Sequence, residues 1–179
     1  MGSEICIRDR ERYENMFRHF DWKYHGKVSA QIYYDEKMSH RIYASADAFL
    51  MPSLFEPCGL SQLMSLRYGT VPIVRETGGL KDTVEAYNEY EHTGTGFSFA
   101  NYNAHEMLGT IRYALSVFRD RKQDWNGLIQ RGMKQDFSWN RSAGKYEALY
   151  EKLNMLMLPS QAAQNLLIEH YKNSDDPPE

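Results

Sequence analysis

Short apolar runs alternate with stretches of helical spacing between residues 48 and 99, and this alternation constrains the fold more than any other feature. The predicted strands are Ala48–Met51, Val71–Val74 and Gly96–Phe99, and the predicted helices between them are Leu60–Tyr68 and Leu80–Ala86. Gly69 is typical of a helix end, and Pro52 stops the first run, which has the composition of a strand buried on both faces. Strands that alternate with helices favour a parallel sheet, so the sequence predicts an α/β fold with helices on both faces of the sheet.

The segment before residue 48 is predicted to contain a helix, a strand and a second helix. Apolar residues at helical spacing from Tyr13 to Phe20 predict the first helix, and Val28–Tyr33 has the pattern of a strand. Asp35 is placed to cap the second helix. The predicted buried face of that helix consists of Met38, Ile42, Tyr43 and Ala46.

After Asn103 the pattern is wholly helical. The predicted helices run from Met107 to Phe118, from Trp125 to Met133 and from Trp139 to Leu153. Ser138 is placed to cap the last of them. We expect residues 1–158 to form one incomplete domain and residues 159–179 to be a flexible extension, because the chain ends in the polar run NSDDPPE.

Composition argues against several classes of function. The formal net charge of −3 disfavours nucleic acid or an anionic membrane as a partner. No apolar run reaches the about eighteen residues of a membrane span, and no signal peptide opens the chain. Cys6 and Cys58 form no CxxC pair and the histidines lack metal-ligand spacing. We therefore expect no metal site and no cofactor, and the cysteine content favours a reducing cytoplasm.

Two loops follow neighbouring strands of the predicted sheet. The first reads FEPCGL, and the second contains Thr77, Gly78 and Gly79. Because the carboxyl ends of parallel strands share one edge, we expect the loops to form two sides of one crevice. Each loop leads into a helix whose first N–H groups suit a phosphate or sugar oxygen, and the glycines let the backbone approach a ligand. Glu56 adds a carboxylate that accepts from sugar hydroxyls or stabilises positive charge on a sugar ring.

The residues alone leave other interpretations of these loops open. The Glu-Pro-Cys-Gly sequence also suits a tight turn, and Thr77 also suits a simple helix cap. Cys58 is equally typical of a small buried hydrophobic residue. Spacing by itself therefore does not decide whether the loops bind a ligand.

The run ADAFLMPSLFEPCGLSQLMSLRYGTVPIVRETGGLKDTV resembles bacterial glycogen synthases and plant starch synthases. The resemblance extends to DEKMSHRIYASAD before this run and to GTGFSF and DFSWNRSAGKYEALYEKL after it. It implies the second, donor-binding domain of a GT-B glycosyltransferase, in which two Rossmann-like domains face each other across a cleft. The implied reaction transfers glucose from ADP-glucose to the non-reducing end of an α-1,4-glucan with retention of the anomeric configuration. It needs no metal and no enzyme nucleophile.

The resemblance also implies roles for individual residues. Glu56 is the implied catalytic carboxylate beside the glucose ring. The implied substrate-binding residues are Tyr34, Pro57, Cys58, Gly59, Leu60, Thr77, Gly78 and Gly79. Among them Tyr34 matches the aromatic residue that stacks on adenine, whereas the residues alone favour a core or loop tyrosine.

The chain departs from the family pattern at its start. The N-terminal domain of the family has no counterpart here, and neither has the opening unit of the donor domain, which supplies an arginine and a lysine to the diphosphate. Arg8, Arg10 and Arg12 are not assigned to that role. We therefore expect the chain alone to be inactive, with ADP-glucose or ADP, the α-1,4-glucan acceptor and the missing domain as its partners. Apolar residues of the last helix, Trp139 among them, are then expected to be uncovered and to cause self-association.

The sequence leaves two alternatives to this function open. One is a non-catalytic module of the same fold that binds a nucleotide sugar or a glucan, which the absent basic residues favour for the chain by itself. The other is a transferase of a different sugar nucleotide. The Glu-Pro-Cys-Gly-Leu motif disfavours a transferase of a different sugar nucleotide, because other families usually have Glu-Gly-x-Gly at this site.

Overall fold

The computed structural model describes residues 10–157 and the isolated positions 165 and 169. Its elements are α1 Arg10–Lys23, α2 Glu36–Ser45, β1 Ala48–Met51, α3 Ser61–Tyr68, β2 Val71–Arg75, α4 Gly78–Thr83, β3 Phe97–Phe99, α5 Ala104–Asp120, α6 Lys122–Met133 and α7 Trp139–Met157. The chain divides into two compact units at the boundary between Ala46 and Asp47. The flexible extension predicted for residues 159–179 lies outside the described residues except at those two positions.

The first unit contains α1 and α2. As predicted, Asp35 caps α2, because its side chain accepts a hydrogen bond from the backbone N–H of Met38 at 2.9 Å. Tyr43 is buried as predicted, but Ile42 is 43% exposed, so the predicted buried face of this helix was wrong at that position.

The strand predicted for Val28–Tyr33 was wrong. This segment has no strand structure, and its side chains at Val28 and Tyr33 are exposed. An alternating sequence sets the two faces of a strand but does not supply the hydrogen-bonded neighbour that a strand needs. No strand in the described part of the first unit provides one.

The second unit is built on a three-stranded parallel sheet in the order β1-β2-β3. Ala48 lies opposite Val71, and Ile73 lies opposite Phe97. Every strand predicted between residues 48 and 99 is therefore present, and the predicted parallel α/β architecture is confirmed.

Helices cover both faces of the central strand β2, because its side chains alternate between two apolar clusters. Val71 and Ile73 pack with buried residues of α5 and α6, namely Val117, Trp125 and Leu128. Val74 packs with Leu80 of α4 and with Val84. This strand is therefore the rigid base for the loop that follows it.

Strand β1 was predicted to be buried on both faces, and this was wrong. Its residues alternate between exposed and half-buried, and Leu50 is 41% exposed. The strand pairs with β2 on one side, and in the described residues no strand pairs with its other edge. Burial of a strand depends on its neighbours, which its own sequence does not encode.

Helix α4 also differs from its prediction. It begins at Gly78 and ends at Thr83, although helix was predicted from about Leu80 to Ala86. Ala86 instead forms a parallel bridge with Gly96, which extends the pairing between the segment after α4 and the strand β3. Pairing with a neighbouring strand therefore overrides the helical spacing of these residues.

The last three helices agree with the predicted helical region after Asn103. Asn103 caps α5, because its side chain accepts from the N–H of Glu106 at 2.8 Å. In α7 the side chains from Trp139 to Leu153 are exposed, apart from a half-buried Ser142. None of the helices in the described part of the chain combines the length and the apolar content of a membrane span.

Candidate functional site

The candidate site lies at the carboxyl ends of β1 and β2. Because these strands are parallel, the first loop, residues 52–60, and the second loop, residues 76–79 including the first two residues of α4, leave the same edge of the sheet. The first loop leads into α3 and the second into α4. The sequence prediction that both loops belong to one edge is therefore confirmed.

The two loops contact each other through their backbones. The N–H of Gly79 donates to the carbonyl oxygens of Glu56 and Pro57, both at 3.1 Å. A Cβ atom at Gly78 would lie 2.1 Å from the carbonyl oxygen of Glu56, and one at Gly79 would lie 1.9 Å from that of Cys58. The glycines therefore make room for the other loop, whereas the sequence analysis assigned this room to a ligand.

Inside the first loop, Gly59 is buried and has a φ of +70°, which side chains rarely adopt. A Cβ atom there would lie 2.4 Å from the side-chain oxygen of Gln62. The amide of Gln62 donates to the carbonyl oxygens of Cys58 at 3.0 Å and Gly59 at 2.9 Å. This buried glutamine was not predicted, because its place in a helical stretch gave no separate signal.

The predicted site residues differ in exposure. Glu56 and Thr77 are half-buried, whereas Pro57, Cys58 and Leu60 are exposed. Cys58 is a free, exposed cysteine and not the small buried hydrophobic residue of the alternative interpretation. Thr77 precedes α4, but its side chain makes no capping hydrogen bond, so the interpretation as a simple cap is also not supported.

The start of α3 has chemistry that suits an anion or a sugar oxygen. Its N-cap residue is Leu60, whose side chain makes no capping hydrogen bond. The first N–H groups of a helix have no partner within the helix and carry a partial positive charge. These N–H groups directly follow the loop that contains Glu56, so a carboxylate and amide donors belong to one short segment.

Arg75 and Glu76 connect the loops further, and neither was singled out from the sequence. The guanidinium of Arg75 donates to the carbonyl oxygens of Leu54 at 2.7 Å and Ser53 at 3.4 Å. It also lies 5.6 Å from the ring centre of Tyr102. A signal was present in the sequence, because a charged pair directly follows an apolar strand and precedes the glycines.

Glu76 ties the second loop to the third strand. One of its carboxylate oxygens accepts from the hydroxyl of Ser98 at 2.8 Å, and its N–H donates to the carbonyl oxygen of Phe99 at 2.9 Å. The carboxyl ends of all three strands are thus joined by specific hydrogen bonds. Such bonds fix the loops on the sheet, as a preorganised site requires.

Tyr34 belongs to the first unit, and its side chain is 89% exposed. It borders an open cleft of about 440 Å³ in that unit. The other residues around this cleft are Tyr13, Glu14, Phe17, Gln31, Ile32 and Tyr33. An exposed ring at a cleft has the accessibility that stacking on a planar ligand requires. Of the alternative interpretation as a core or loop tyrosine, the core position is wrong, whereas the loop position agrees with the structure, because Tyr34 lies between α1 and α2.

The described residues contain no group of three or more His, Cys, Asp or Glu side chains that is placed to hold a metal ion. The candidate site does contain the carboxylate of Glu56 and the first N–H groups of α3. Hydrogen-bond donors of this kind stabilise negative charge without a metal.

Comparison with known proteins identifies the family. The family model for glycosyl transferases group 1 matches residues 7–126, which include both loops. The chain belongs to the glycosyl transferases group 1 family. Within this family it is 76% identical over 159 residues to the glycogen synthase of Lachnospira eligens and 69% identical over the same length to that of Lachnoclostridium phytofermentans.

These group 1 glycosyl transferases are longer proteins. The matched region is 84% of this chain but 33% of each of the two glycogen synthases. The glycogen synthase of Geobacillus stearothermophilus is 56% identical over 142 residues, which is 29% of its length. The chain thus spans about a third of the length of these relatives, and the predicted resemblance to glycogen synthases is confirmed.

A solved structure of the same type supports the fold. The catalytic domain of starch synthase IV from Arabidopsis thaliana, bound to ADP and acarbose, aligns with a TM-score of 0.70 and 36% identity. The alignment covers 79% of this chain and 29% of that protein. The chain therefore has the fold of part of a GT-B glycosyltransferase.

Proposed function

We propose that the chain is the donor-binding part of a retaining glucosyltransferase that transfers glucose from ADP-glucose to the non-reducing end of an α-1,4-glucan. The observation that carries the proposal is the contact between the two loops, which fixes Glu56 beside the start of α3 at one edge of the sheet. The relatives that match this chain are glycogen synthases, and the starch synthase of similar fold is bound to ADP and acarbose.

In this proposal the half-buried carboxylate of Glu56 lies against the glucose ring. A carboxylate there accepts from sugar hydroxyls and stabilises the positive charge that develops on the ring as the bond to the diphosphate breaks. Pro57, Cys58, Gly59 and Leu60 then line the sugar and the diphosphate. Pro57 contributes shape alone, because proline has no backbone N–H, whereas Cys58, Gly59 and Leu60 contribute shape and backbone donors.

The N–H groups at the start of α3 are the proposed donors to the diphosphate. The N–H of Gly79 already donates to the first loop and the N–H of Thr77 to the carbonyl oxygen of Arg75, so the hydroxyl of Thr77 and the N–H of Gly78 are the proposed contacts on the second loop. Partial charges at a helix start stabilise a leaving diphosphate, but they are weaker than a full positive charge.

Full activity is proposed to require the rest of the glycogen synthase. The matched region is 33% of the length of the Lachnospira eligens glycogen synthase, so about two thirds of that protein lies outside it. Nη1 of Arg75 is engaged with the first loop, because it donates to the carbonyl oxygens of Ser53 and Leu54. The chain alone is therefore expected to bind the nucleotide without turnover. Its proposed location is the cytoplasm, the compartment that its two cysteines favour.

Titration calorimetry with ADP and ADP-glucose tests the proposal. Tyr34→Ala should weaken ADP binding by about tenfold or more, because aromatic stacking on a base contributes about 1–3 kcal/mol. Glu56→Gln should weaken ADP-glucose binding and leave ADP binding unchanged, because the carboxylate is proposed to contact the sugar. Tyr90→Ala is the matched control, since Tyr90 is 87% exposed and lies on a loop of the second unit.

The outcomes separate the proposal from its alternatives. Binding of ADP that depends on Tyr34 and binding of ADP-glucose that depends on Glu56 support the donor site. Equal affinity of the Tyr34→Ala and Tyr90→Ala variants contradicts the role of Tyr34. Failure of the unchanged chain to bind either compound contradicts the donor site as a whole.

A further inference from the structure

Gln62 is a fully buried polar residue whose amide reaches the first loop of the candidate site and the end of α4. It lies in the first turn of α3 and has an exposed fraction of 0%. Its amide nitrogen donates to the carbonyl oxygens of Cys58 and Gly59 in the first loop. The same nitrogen lies 3.2 Å from the hydroxyl oxygen of Thr83, at the end of α4.

Thr83 carries the connection onward to the second loop. Its hydroxyl donates to the carbonyl oxygen of Gly79 at 2.5 Å, and its oxygen is one of three acceptors that share the two amide hydrogens of Gln62. The N–H of Gly79 in turn donates to the carbonyl oxygen of Glu56. The hydrogen bonds therefore form a closed circuit from the first loop through Gln62, Thr83 and Gly79 back to the first loop.

Stabilisation of the fold alone does not explain a glutamine at position 62. The side-chain oxygen of Gln62 is buried and has no hydrogen-bond partner. A buried polar atom without a partner destabilises a fold, whereas an apolar side chain of the same shape avoids this cost. What an apolar side chain lacks is a donor to the carbonyl oxygens of Cys58 and Gly59. The benefit of glutamine at this position is therefore the geometry of the loop.

We propose that Gln62 and Thr83 are positioning residues that hold the Glu56 loop at a fixed separation from the Gly78–Gly79 loop. Gln62 does not contact the proposed sugar directly, because it is fully buried. They orient the carboxylate of Glu56 and the first N–H groups of α3 through the backbone. The consequence for glucosyl transfer rests on the proposed function, but the circuit itself is tested without any ligand.

The test is residue-resolved amide hydrogen exchange in the complete 179-residue chain. Gln62→Met keeps the length of the side chain and removes its donors, and Thr83→Val removes the hydroxyl with little change of shape. Each should accelerate exchange at Gly79 by about tenfold, the effect of losing one or two hydrogen bonds. The amides of Val117 and Leu128, whose side chains are 0% exposed in α5 and α6, report global opening and should change far less.

Matched variants and a conservative rescue complete the design. Gln130→Met and Thr110→Val make the same chemical changes on α6 and α5, away from the loops, and should leave exchange at Gly79 unchanged. Thr83→Ser keeps the hydroxyl and should keep exchange at Gly79 near that of the unchanged chain. If Gln62→Met does not fold, the comparison of Thr83→Val with Thr83→Ser carries the test.

Selective acceleration at Gly79, with rescue by serine, supports the positioning role. Equal acceleration at Gly79, Val117 and Leu128 overturns it, because Gln62 and Thr83 then only stabilise the fold. Unchanged exchange at all three amides also overturns it. Failure of the proposed function is a separate result, since it appears in the ADP and ADP-glucose titrations and leaves these exchange rates untouched.

Discussion

The N–H of Gly79 donates a hydrogen bond to the carbonyl oxygen of Glu56 at 3.1 Å, across twenty-three positions of sequence. The residue with the proposed catalytic carboxylate is therefore anchored on the loop that follows the neighbouring strand. This contact requires glycine, because any side chain at position 79 would occupy the space of the first loop.

Gly79→Ala should destabilise the fold strongly. Its Cβ atom would lie 1.9 Å from the carbonyl oxygen of Cys58. The atoms that would clash belong to the backbone of the first loop, which cannot move aside as a flexible side chain can. We expect the free energy of unfolding to fall by about 3 kcal/mol or more, measured by urea denaturation. Gly109→Ala is the control, because nothing lies within 4 Å of a Cβ at that helical position. It should raise the free energy by about 0.5–1 kcal/mol. Similar effects of the two substitutions would contradict the close approach of the loops.

The strands and the ends of several helices were predictable because their signals are local. Ala48–Met51 and Val71–Val74 are apolar runs with clear stops, and both are strands. Gly69 ends α3 with a φ of +81°, a conformation that glycine adopts without strain. Asp35 caps α2 because a short carboxylate side chain reaches the N–H of the first turn.

The features that sequence reasoning missed depend on partners distant in the chain. The exposed edge of β1 and the absence of a strand at Val28–Tyr33 follow from which strands are available for pairing. For the candidate site, the sequence identified the two loops and Glu56 but not Gln62. Its amide binds the nearby carbonyl oxygens of Cys58 and Gly59, but its link to α4 depends on Thr83, which is twenty-one positions away.

Arg75→Met should loosen the first loop. The half-buried guanidinium donates to the carbonyl oxygens of Ser53 and Leu54, and methionine keeps much of the apolar stem without the donors. We expect a loss of about 1–3 kcal/mol in the free energy of unfolding, since hydrogen bonds from a charged donor contribute in this range. Arg112→Met, at an exposed position of α5, should change it by less than about 0.5 kcal/mol. An equally small effect at position 75 would show that these bonds do not hold the loop.

Glu106 should make the stability of the chain dependent on pH in the acidic range. Its carboxylate accepts from the side chain of Asn101 and, at 2.8 Å, from the N–H of Asn101. The side-chain bond from Asn101 is the main cause that lowers the pKa of Glu106 below its ordinary value of 4.5. A lowered pKa in the folded state stabilises the fold above the ordinary value, and this contribution is lost as the pH falls through the lowered pKa.

Glu106→Gln should therefore reduce the loss of stability between neutral pH and acidic pH below 4.5. Glutamine keeps the shape and one acceptor but does not titrate, so the remaining pH dependence belongs to other groups. Thermal unfolding of both proteins over this pH series measures the difference. Parallel curves for Glu106→Gln and the unchanged chain would contradict a linkage through this carboxylate.

The exposed face of α7 should cause the chain to self-associate. Trp139, Tyr146 and Tyr150 are 89%, 64% and 64% exposed, and their spacing of seven and four residues puts them on one side of the helix. An apolar face of this kind recruits a partner, and in the isolated chain another copy is available.

Sedimentation velocity should show mass that rises with concentration, and the double variant Tyr146→Lys, Tyr150→Lys should remain monomeric. Tyr90→Lys, at a loop position that is 87% exposed, should associate like the unchanged chain, because it introduces a lysine charge outside α7. A concentration-independent monomer, or association that survives the double variant, would show that this face does not drive self-association.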